Sequence, residues 1–125
     1  MADQQKLRVL VVDDEQVIAH TLAIILNQGG FAAAAFTNPL LALESARMER
    51  PDLVISDVVM PELSGIDLAI EVKALCPNCK ILLFSGQAAT TDLLKIARDN
   101  GHNFELLSKP VHPTDLLNAI RKLGK

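Results

Sequence analysis

Short runs of apolar residues recur along the chain and predict five β-strands. The three clearest runs are rich in Val, Ile and Leu and cover residues 7–12, 53–56 and 80–84. Two weaker candidates cover the alanine-rich residues 31–36 and residues 104–107. The run Arg-Val-Leu-Val-Val shows no alternation of apolar and polar residues, which is typical of a strand buried on both faces of a sheet.

The segments between these runs carry apolar residues at helical spacing and predict five helices. The first covers about residues 15–28 and ends at Gly29-Gly30, because glycine commonly stops a helix. The second follows Asn38-Pro39 and ends before Pro51, and the third begins at Ser64 and ends before Pro77. The fourth begins near Thr90 or Thr91 and ends at Asn100-Gly101, and the fifth begins around Pro113-Thr114. The apolar faces consist of Ile18, Leu22, Ile25 and Leu26 in the first helix, Leu93, Ile96 and Ala97 in the fourth, and Leu116, Ile120 and Leu123 in the fifth.

The alternation of strands with helices of 10 to 14 residues indicates an α/β fold. We predict a doubly wound, five-stranded parallel sheet with helices on both faces, connected by right-handed crossovers. The sequence contains no linker, repeat or low-complexity segment, so we expect residues 1–125 to form one domain.

The composition argues against nucleic-acid binding and membrane insertion. The chain has 125 residues, 50% of them hydrophobic, and a net charge of -3, which indicates no general nucleic-acid surface. Four Phe and no Trp or Tyr leave little for stacking on bases. No stretch reaches the roughly 18 apolar residues of a membrane span, and the N-terminus lacks a signal-peptide pattern. We therefore expect a cytoplasmic protein without a membrane partner.

The pair Cys76 and Cys79 forms a Cys-Pro-Asn-Cys motif that superficially resembles a redox or metal site. A redox pair of this kind usually opens a helix after a strand, whereas this one follows a predicted helix and precedes a strand. A structural zinc site would need two further ligands at suitable spacing, which the sequence lacks. We interpret both residues as incidental loop thiols, and His20, His102 and His112 as surface residues without ligand spacing.

Polar residues stand where four of the predicted strands end. Asp13, Asp14 and Glu15 follow the first strand and Asp57 the third; Ser85-Gly86 and Lys109-Pro110 follow the fourth and fifth. Because the carboxyl ends of parallel strands share one edge of the sheet, these side chains can converge there. Clustered carboxylates repel one another unless a cation joins them, and oxygen-only ligands favour a hard ion such as Mg²⁺. Together with an ammonium and a hydroxyl group, they suit a phosphoryl group.

Taken separately, each of these residues also has an ordinary structural interpretation. Asp13 could cap the first helix, Asp57 could be a plain carboxylate at a loop start, Ser85-Gly86 could form a turn, and Lys109 could be solvated. Only their joint placement at the strand ends favours a functional site.

This constellation resembles the receiver domain of two-component response regulators, over essentially the whole chain. The residues that carry the resemblance are the acidic pair in VVDDE, the Asp in ISDVVMPELSG with its following Met60-Pro61 and Gly65, the Ser in LLFSG and the Lys-Pro in LLSKP. The resemblance implies a flavodoxin-like (βα)5 fold and a role in two-component or phosphorelay signalling.

The resemblance also implies a role for each site residue. Asp57 would accept a phosphoryl group from the phosphohistidine of a sensor kinase or a histidine phosphotransfer protein. Asp14, Asp57 and the backbone carbonyl of Val59 would bind Mg²⁺ directly, and Asp13 through water. Ser85 would bond the phosphoryl oxygen after transfer and carry the switch signal. Lys109 would pair with Asp57 before transfer and with the phosphate afterwards, aimed by a cis peptide to Pro110.

The same resemblance suggests how the signal leaves the domain. The face from Thr91 to Leu123 would bind a downstream protein, and phosphorylation could drive homodimerisation. Since the chain ends after its fifth predicted helix, we expect a stand-alone receiver without an output domain, acting as a switch rather than as a turnover enzyme.

Three features depart from the family pattern. Leu106 stands three residues before the lysine, where an aromatic residue is common, and Phe104 is the nearest aromatic. The stretch from Gly101 to Lys109 is slightly longer than usual, which leaves the position of the fifth strand open by a residue or two. Val59 cannot orient a hydrolytic water by hydrogen bonding, so we predict slow self-dephosphorylation.

Three rival functions stay open to different degrees. A haloacid-dehalogenase phosphatase would need a second Asp where Val59 stands. A nucleotide-binding domain would need a glycine-rich phosphate loop, which the sequence lacks. A degenerate receiver-like module that binds partners without phosphorylation is the main alternative, and only chemistry distinguishes it.

Overall fold

The computed structural model describes residues 6–86, 90–102, 104–109 and 112–123. Strands and helices alternate along the chain, as the hydrophobic pattern predicts. The strands are β1 (Arg8–Val12), β2 (Ala32–Phe36), β3 (Leu53–Asp57), β4 (Lys80–Ser85) and β5 (Glu105–Ser108). The helices are α1 (Gln16–Gln28), α2 (Pro39–Met48), α3 (Gly65–Leu75), α4 (Thr90–Asp99) and α5 (Pro113–Leu123).

The five strands form a single parallel sheet in the order β2-β1-β3-β4-β5. The strand order reverses between β1 and β3, and the crevice of such a sheet opens at the carboxyl ends of these strands. The predicted fold class, a doubly wound parallel sheet of the flavodoxin-like type, is therefore confirmed.

Helices cover both faces of the sheet, so each strand buries side chains in two directions. Along β4, Ile81 and Leu83 pack in the layer beneath α2, α3 and α4. Leu82 and Phe84 point the other way, into the layer beneath α1 and α5. This double burial is why the central strands read as continuous apolar runs.

Local signals set the helix starts. The Leu40 amide donates to Asn38 Oδ1 (2.9 Å), and Pro39 occupies the first turn of α2, where its missing N–H is not needed. The Asp67 amide donates to Ser64 Oγ (3.1 Å) at the start of α3. The predicted starts of these two helices follow from these capping residues.

Some details differ from the sequence predictions. The fifth strand begins one residue later than predicted, at Glu105. In α4, Ala97 is buried as predicted, but Ile96 is 58% exposed, because it lies on the solvent side of the helix rather than on the core face. The side chains of Leu93 and Leu123, and the peptide bond to Pro110, lie outside the described part of the chain.

Among the residues that the structure describes, no cysteine or histidine belongs to a cluster that could hold a metal ion. Cys79 belongs to the core rather than to a solvent-exposed loop: it is 1% exposed, and burial raises the pKa of its thiol to about 12. His20 and His112 are exposed, as predicted. His102 is half-buried instead, because its ring stacks on Phe104 with centroids 6.1 Å apart.

Candidate functional site

The sheet order brings the predicted site residues to one edge. Since β1, β3, β4 and β5 are successive neighbours, the residues that follow them emerge side by side. Val12 pairs with Ser56, Asp57 with Phe84, and Ser85 with Ser108 in the parallel register. The ends of these strands are therefore level with one another, as the prediction requires.

Three carboxylates meet at this edge. Ligand oxygens of Asp13, Asp14 and Asp57 all lie within 4.8 Å of one another, the single group of this kind among the residues that the structure describes. Asp13 is fully buried and Asp57 is 8% exposed, whereas Asp14 is open to solvent. A group of this charge is stable only where a cation compensates it.

Lys109 supplies part of that compensation. Its Nζ lies 3.1 Å from Asp13 Oδ2 and 3.3 Å from Asp57 Oδ2. The other oxygen of Asp13, Oδ1, accepts a hydrogen bond from the Glu15 amide (2.8 Å). Both oxygens of Asp13 thus have protein partners.

Burial and the nearby lysine charge shift the pKa values of the acidic groups in opposite directions. Burial raises the pKa of Asp13 and of Asp57 above the usual range, and the Lys109 ammonium offsets only part of that rise. For Lys109, burial lowers the pKa, but its bonds and charge interactions with Asp13 and Asp57 outweigh burial and raise it overall. The site therefore favours the charged form of the lysine, whereas burial disfavours the charged forms of the two acids.

The loop after Asp57 is fixed by backbone contacts that the sequence reasoning missed. Gly65 donates its amide to the Val58 carbonyl (2.8 Å). A Cβ at position 65 would collide with the backbone carbonyl of Asp57. Ser56 Oγ donates to that same carbonyl (2.8 Å). Gly65 stood out in the sequence only as part of a motif; its close approach to β3 gives the physical reason.

A cleft of about 680 Å³ opens above the carboxylates. It is lined by Asp14, Glu15, Asp57, Val59, Met60, Pro61, Gly86 and Lys109. Val59 is 39% exposed and contributes to the lining of the cleft. Ser85 is buried at the end of β4 and is not among these lining residues, although its carbonyl accepts from the Lys109 amide (3.0 Å).

The donor set suits a hard divalent ion. It consists of carboxylate oxygens, with Asp14 and Asp57 facing an open cleft and no sulfur or imidazole ligand within the described group. The acidic cluster therefore fits Mg²⁺.

Comparison with known proteins identifies the family. The response regulator receiver domain matches residues 9–121, so the chain belongs to this family of two-component signalling proteins. Among characterised relatives, the response regulator receiver protein CpdR of Brucella abortus is 34% identical and aligns over 93% of this chain and 95% of its own length. The transcriptional regulatory protein CreB of Escherichia coli is also 34% identical, but this chain spans only 51% of it.

Solved structures show the same fold. The crystal structure of a response regulator receiver domain protein from Clostridium thermocellum superimposes with a TM-score of 0.80 at 30% identity, over 94% of this chain and 93% of that one. In the described part of this chain, none of the helices is long and apolar enough to cross a bilayer.

Proposed function

We propose that this receiver domain is a phosphoacceptor switch in which Asp57 takes a phosphoryl group from a phosphohistidine. The observation that carries the proposal is the position of the Asp57 carboxylate. It lines the cleft, 3.3 Å from Lys109 Nζ and within 4.8 Å of the other two carboxylates. A nucleophile, a fixed cation and a charge-rich floor are the parts that phosphoryl transfer requires.

The transfer would be a substitution at phosphorus. An oxygen of Asp57 forms the new O–P bond, and the N–P bond of the phosphohistidine breaks. The electron pair stays on the imidazole nitrogen of the donor, which then takes a proton from solvent. Because the protein mainly positions charge, the rate depends on how well the site compensates the phosphoryl oxygens.

Lys109 would stay with the transferring group. It bonds Asp13 and Asp57 at rest, and its ammonium would move from the Asp57 oxygen to a phosphoryl oxygen as that oxygen takes up negative charge. Ser85, at the end of the neighbouring strand, would bond the phosphoryl group after transfer and report its presence.

Asp14, Asp57 and the Val59 carbonyl would hold a Mg²⁺ ion, with Asp13 linked through water. When bound, the ion would neutralise carboxylate and phosphoryl charge together. The raised pKa values of Asp13 and Asp57 support this assignment, because buried acids that are poorly compensated gain most from a cation.

The donor would be a sensor histidine kinase or a histidine phosphotransfer protein, and the output a downstream protein. The described part of the face from Thr91 to Leu123 exposes two apolar side chains that a partner would cover, Ile96 (58%) and Leu106 (40%). We propose a homodimer of the phosphorylated form as a further outcome, and assign no enzymatic turnover, membrane or nucleic-acid partner.

Intact mass spectrometry tests the central claim. The protein is incubated with Mg²⁺ and acetyl phosphate, beside Asp57→Ala and the matched control Asp67→Ala, which removes an exposed acid outside the cleft. We expect one phosphoryl group on the wild type and on the control, and none on Asp57→Ala or after chelation. No gain by a folded protein that binds Mg²⁺ would instead favour the degenerate module, which the family match and the intact acidic cluster make the weaker candidate.

A further inference from the structure

The path of Lys109 across the sheet raises a separate question. Lys109 follows β5, but the carboxylates that it bonds belong to β1 and β3. In the sheet order, β4 lies between them, so the lysine side chain must cross β4. The residues of β4 that contact the lysine at this crossing therefore help to hold its ammonium group.

Phe84 in β4 and Gly86, just after the end of this strand, lie along this crossing. A Cβ on Gly86 would be 3.5 Å from Lys109 Cβ and 4.0 Å from Cδ, so the lysine stem runs directly over Gly86. The ammonium then reaches the ring of Phe84, with Nζ 5.0 Å from the ring centroid. Phe84 is level with Asp57 in the strand register, so the ring lies beside the acids that the lysine bonds.

We propose that Phe84 is a positioning residue for Lys109, whose ring holds the ammonium over its face by a cation–π interaction. This inference rests on the proposed function, since its consequence is the rate of phosphoryl transfer to Asp57. The electron-rich face of an aromatic ring attracts a cation within about 6 Å of its centroid. A leucine at position 84 would keep the site apolar, although it is smaller than phenylalanine, and it would present no such charge.

An open groove on one side of the lysine gives the ring its importance. A groove of about 410 Å³ runs along α1 and reaches both Phe84 and Lys109, so the lysine has open space on that side. Phe84 itself is 1% exposed and fixed in the core beneath α1 and α5. Asp13 and Asp57 bond the ammonium, and the fixed ring of Phe84 attracts it as well. With an aliphatic side chain at position 84, only the two carboxylates would oppose a swing of the lysine into the groove.

Graded fluorination of the Phe84 ring separates charge from size. Fluorine atoms withdraw electron density from the ring face with little change in volume. We expect the rate of phosphorylation by acetyl phosphate to fall stepwise as 4-fluoro-, 3,5-difluoro- and 3,4,5-trifluorophenylalanine are incorporated at position 84. Phe84→Leu should be slower by roughly three- to tenfold, the range that a partly desolvated cation–π contact supports. The same analogues at Phe31, which packs against this core layer far from Lys109, serve as the control and should leave the rate unchanged.

A double-mutant cycle identifies the partner. If the ring acts through the ammonium, Phe84→Leu adds no further loss in a Lys109→Met background. In addition, the ε-protons of ¹³C-labelled Lys109 should be shifted upfield by the Phe84 ring current, and Phe84→Leu should remove that shift without phosphodonor present.

The outcomes separate the two proposals. The role of Phe84 is overturned if the fluorinated proteins are phosphorylated as fast as the wild type, or if Phe84→Leu slows phosphorylation equally with and without Lys109. Either result leaves the phosphoacceptor function intact. A wild-type protein that takes no phosphoryl group overturns the proposed function itself. A stepwise fall at position 84 alone, together with the lost ring-current shift, supports the inference.

Discussion

The α-carbon of Gly65 lies directly against the backbone carbonyl of Asp57, so the start of α3 and the end of β3 touch without an intervening side chain. The Gly65 amide also donates to the Val58 carbonyl (2.8 Å). This contact pulls the loop between them into the shape that places Val59, Met60 and Pro61 around the cleft.

Gly65→Ala should therefore displace the loop. The added methyl group meets a backbone carbonyl and Ser56 Oγ, neither of which can move aside cheaply. We expect a loss of about 1 to 3 kcal/mol in the free energy of unfolding, measured by urea denaturation, and weaker Mg²⁺ binding by titration calorimetry. Gly29→Ala, at the end of α1 and outside the cleft, is the control, because a Cβ there would make only ordinary contacts; equal losses in both variants would show that the contact with Asp57 has no special effect.

Asp57→Asn should stabilise the protein at neutral pH. The pKa of Asp57 is raised in the folded state, chiefly by burial, so the folded form binds this proton more tightly than the unfolded chain. This tighter proton binding contributes fully to the stability of the folded state below the unfolded pKa of about 3.9. The contribution is lost as pH rises through the folded pKa, so at pH 7 the buried carboxylate lowers the free energy of unfolding.

The gain in stability from Asp57→Asn is expected at pH 7 and should shrink as pH falls towards 4, where the wild-type carboxyl group regains its proton. Denaturation curves of both proteins across this pH range check the prediction. Saturating Mg²⁺ should raise the stability of the wild type more than that of the variant. A variant that is less stable at pH 7 would mean that Lys109 compensates Asp57 fully.

Val59→Asn should shorten the lifetime of the phosphorylated protein. Val59 is partly exposed at the wall of the cleft, and an amide there can hold a water molecule that a valine cannot. We expect hydrolysis to accelerate about fivefold, the rate equivalent of one hydrogen bond worth about 1 kcal/mol. Loss of label from the phosphorylated protein measures the decay, with Val59→Leu as the size control; an unchanged rate in Val59→Asn contradicts the prediction.

Asn27→Ala should expose the edge of the sheet. Its side chain accepts from the Ala33 amide (2.9 Å) and donates to the Ala33 carbonyl (3.1 Å), so it pairs with the outer side of edge strand β2 as a neighbouring strand would. The strand is Ala-Ala-Ala-Ala-Phe and carries no charge to discourage pairing with another copy.

We expect Asn27→Ala to lose about 1 to 2 kcal/mol of stability and to self-associate at high concentration, as measured by light scattering. Gln28→Ala, which alters the exposed neighbour at the same helix end, should do neither. A variant as monomeric and as stable as this control would show that the edge needs no such cover.

The two thiols should react very differently with an alkylating reagent. Cys79 is buried with a pKa raised to about 12, whereas Cys76 is partly exposed. At pH 8, we expect mass spectrometry to find one fast modification at Cys76, with Cys79 labelled only after denaturation. Rapid labelling of both would indicate that the connection between α3 and β4 opens readily.

The sequence by itself determined the architecture and the composition of the acidic site. Alternating apolar runs and amphipathic segments define a parallel sheet, because strands buried on both faces have no polar positions. Parallel strands end at one edge, so Asp13, Asp14, Asp57 and Lys109 could be placed together from their positions at the strand ends alone.

Only the tertiary structure decided which groups touch. The clash that requires Gly65, the amide of Asn27 along β2, and the ring of Phe84 under Lys109 all depend on distances between residues that the local pattern does not encode. The exposure of Ile96 and the burial of Cys79 were likewise set by helix rotation and packing. Periodicity fixes which face of an element is apolar, but contacts across the sheet depend on how the faces meet.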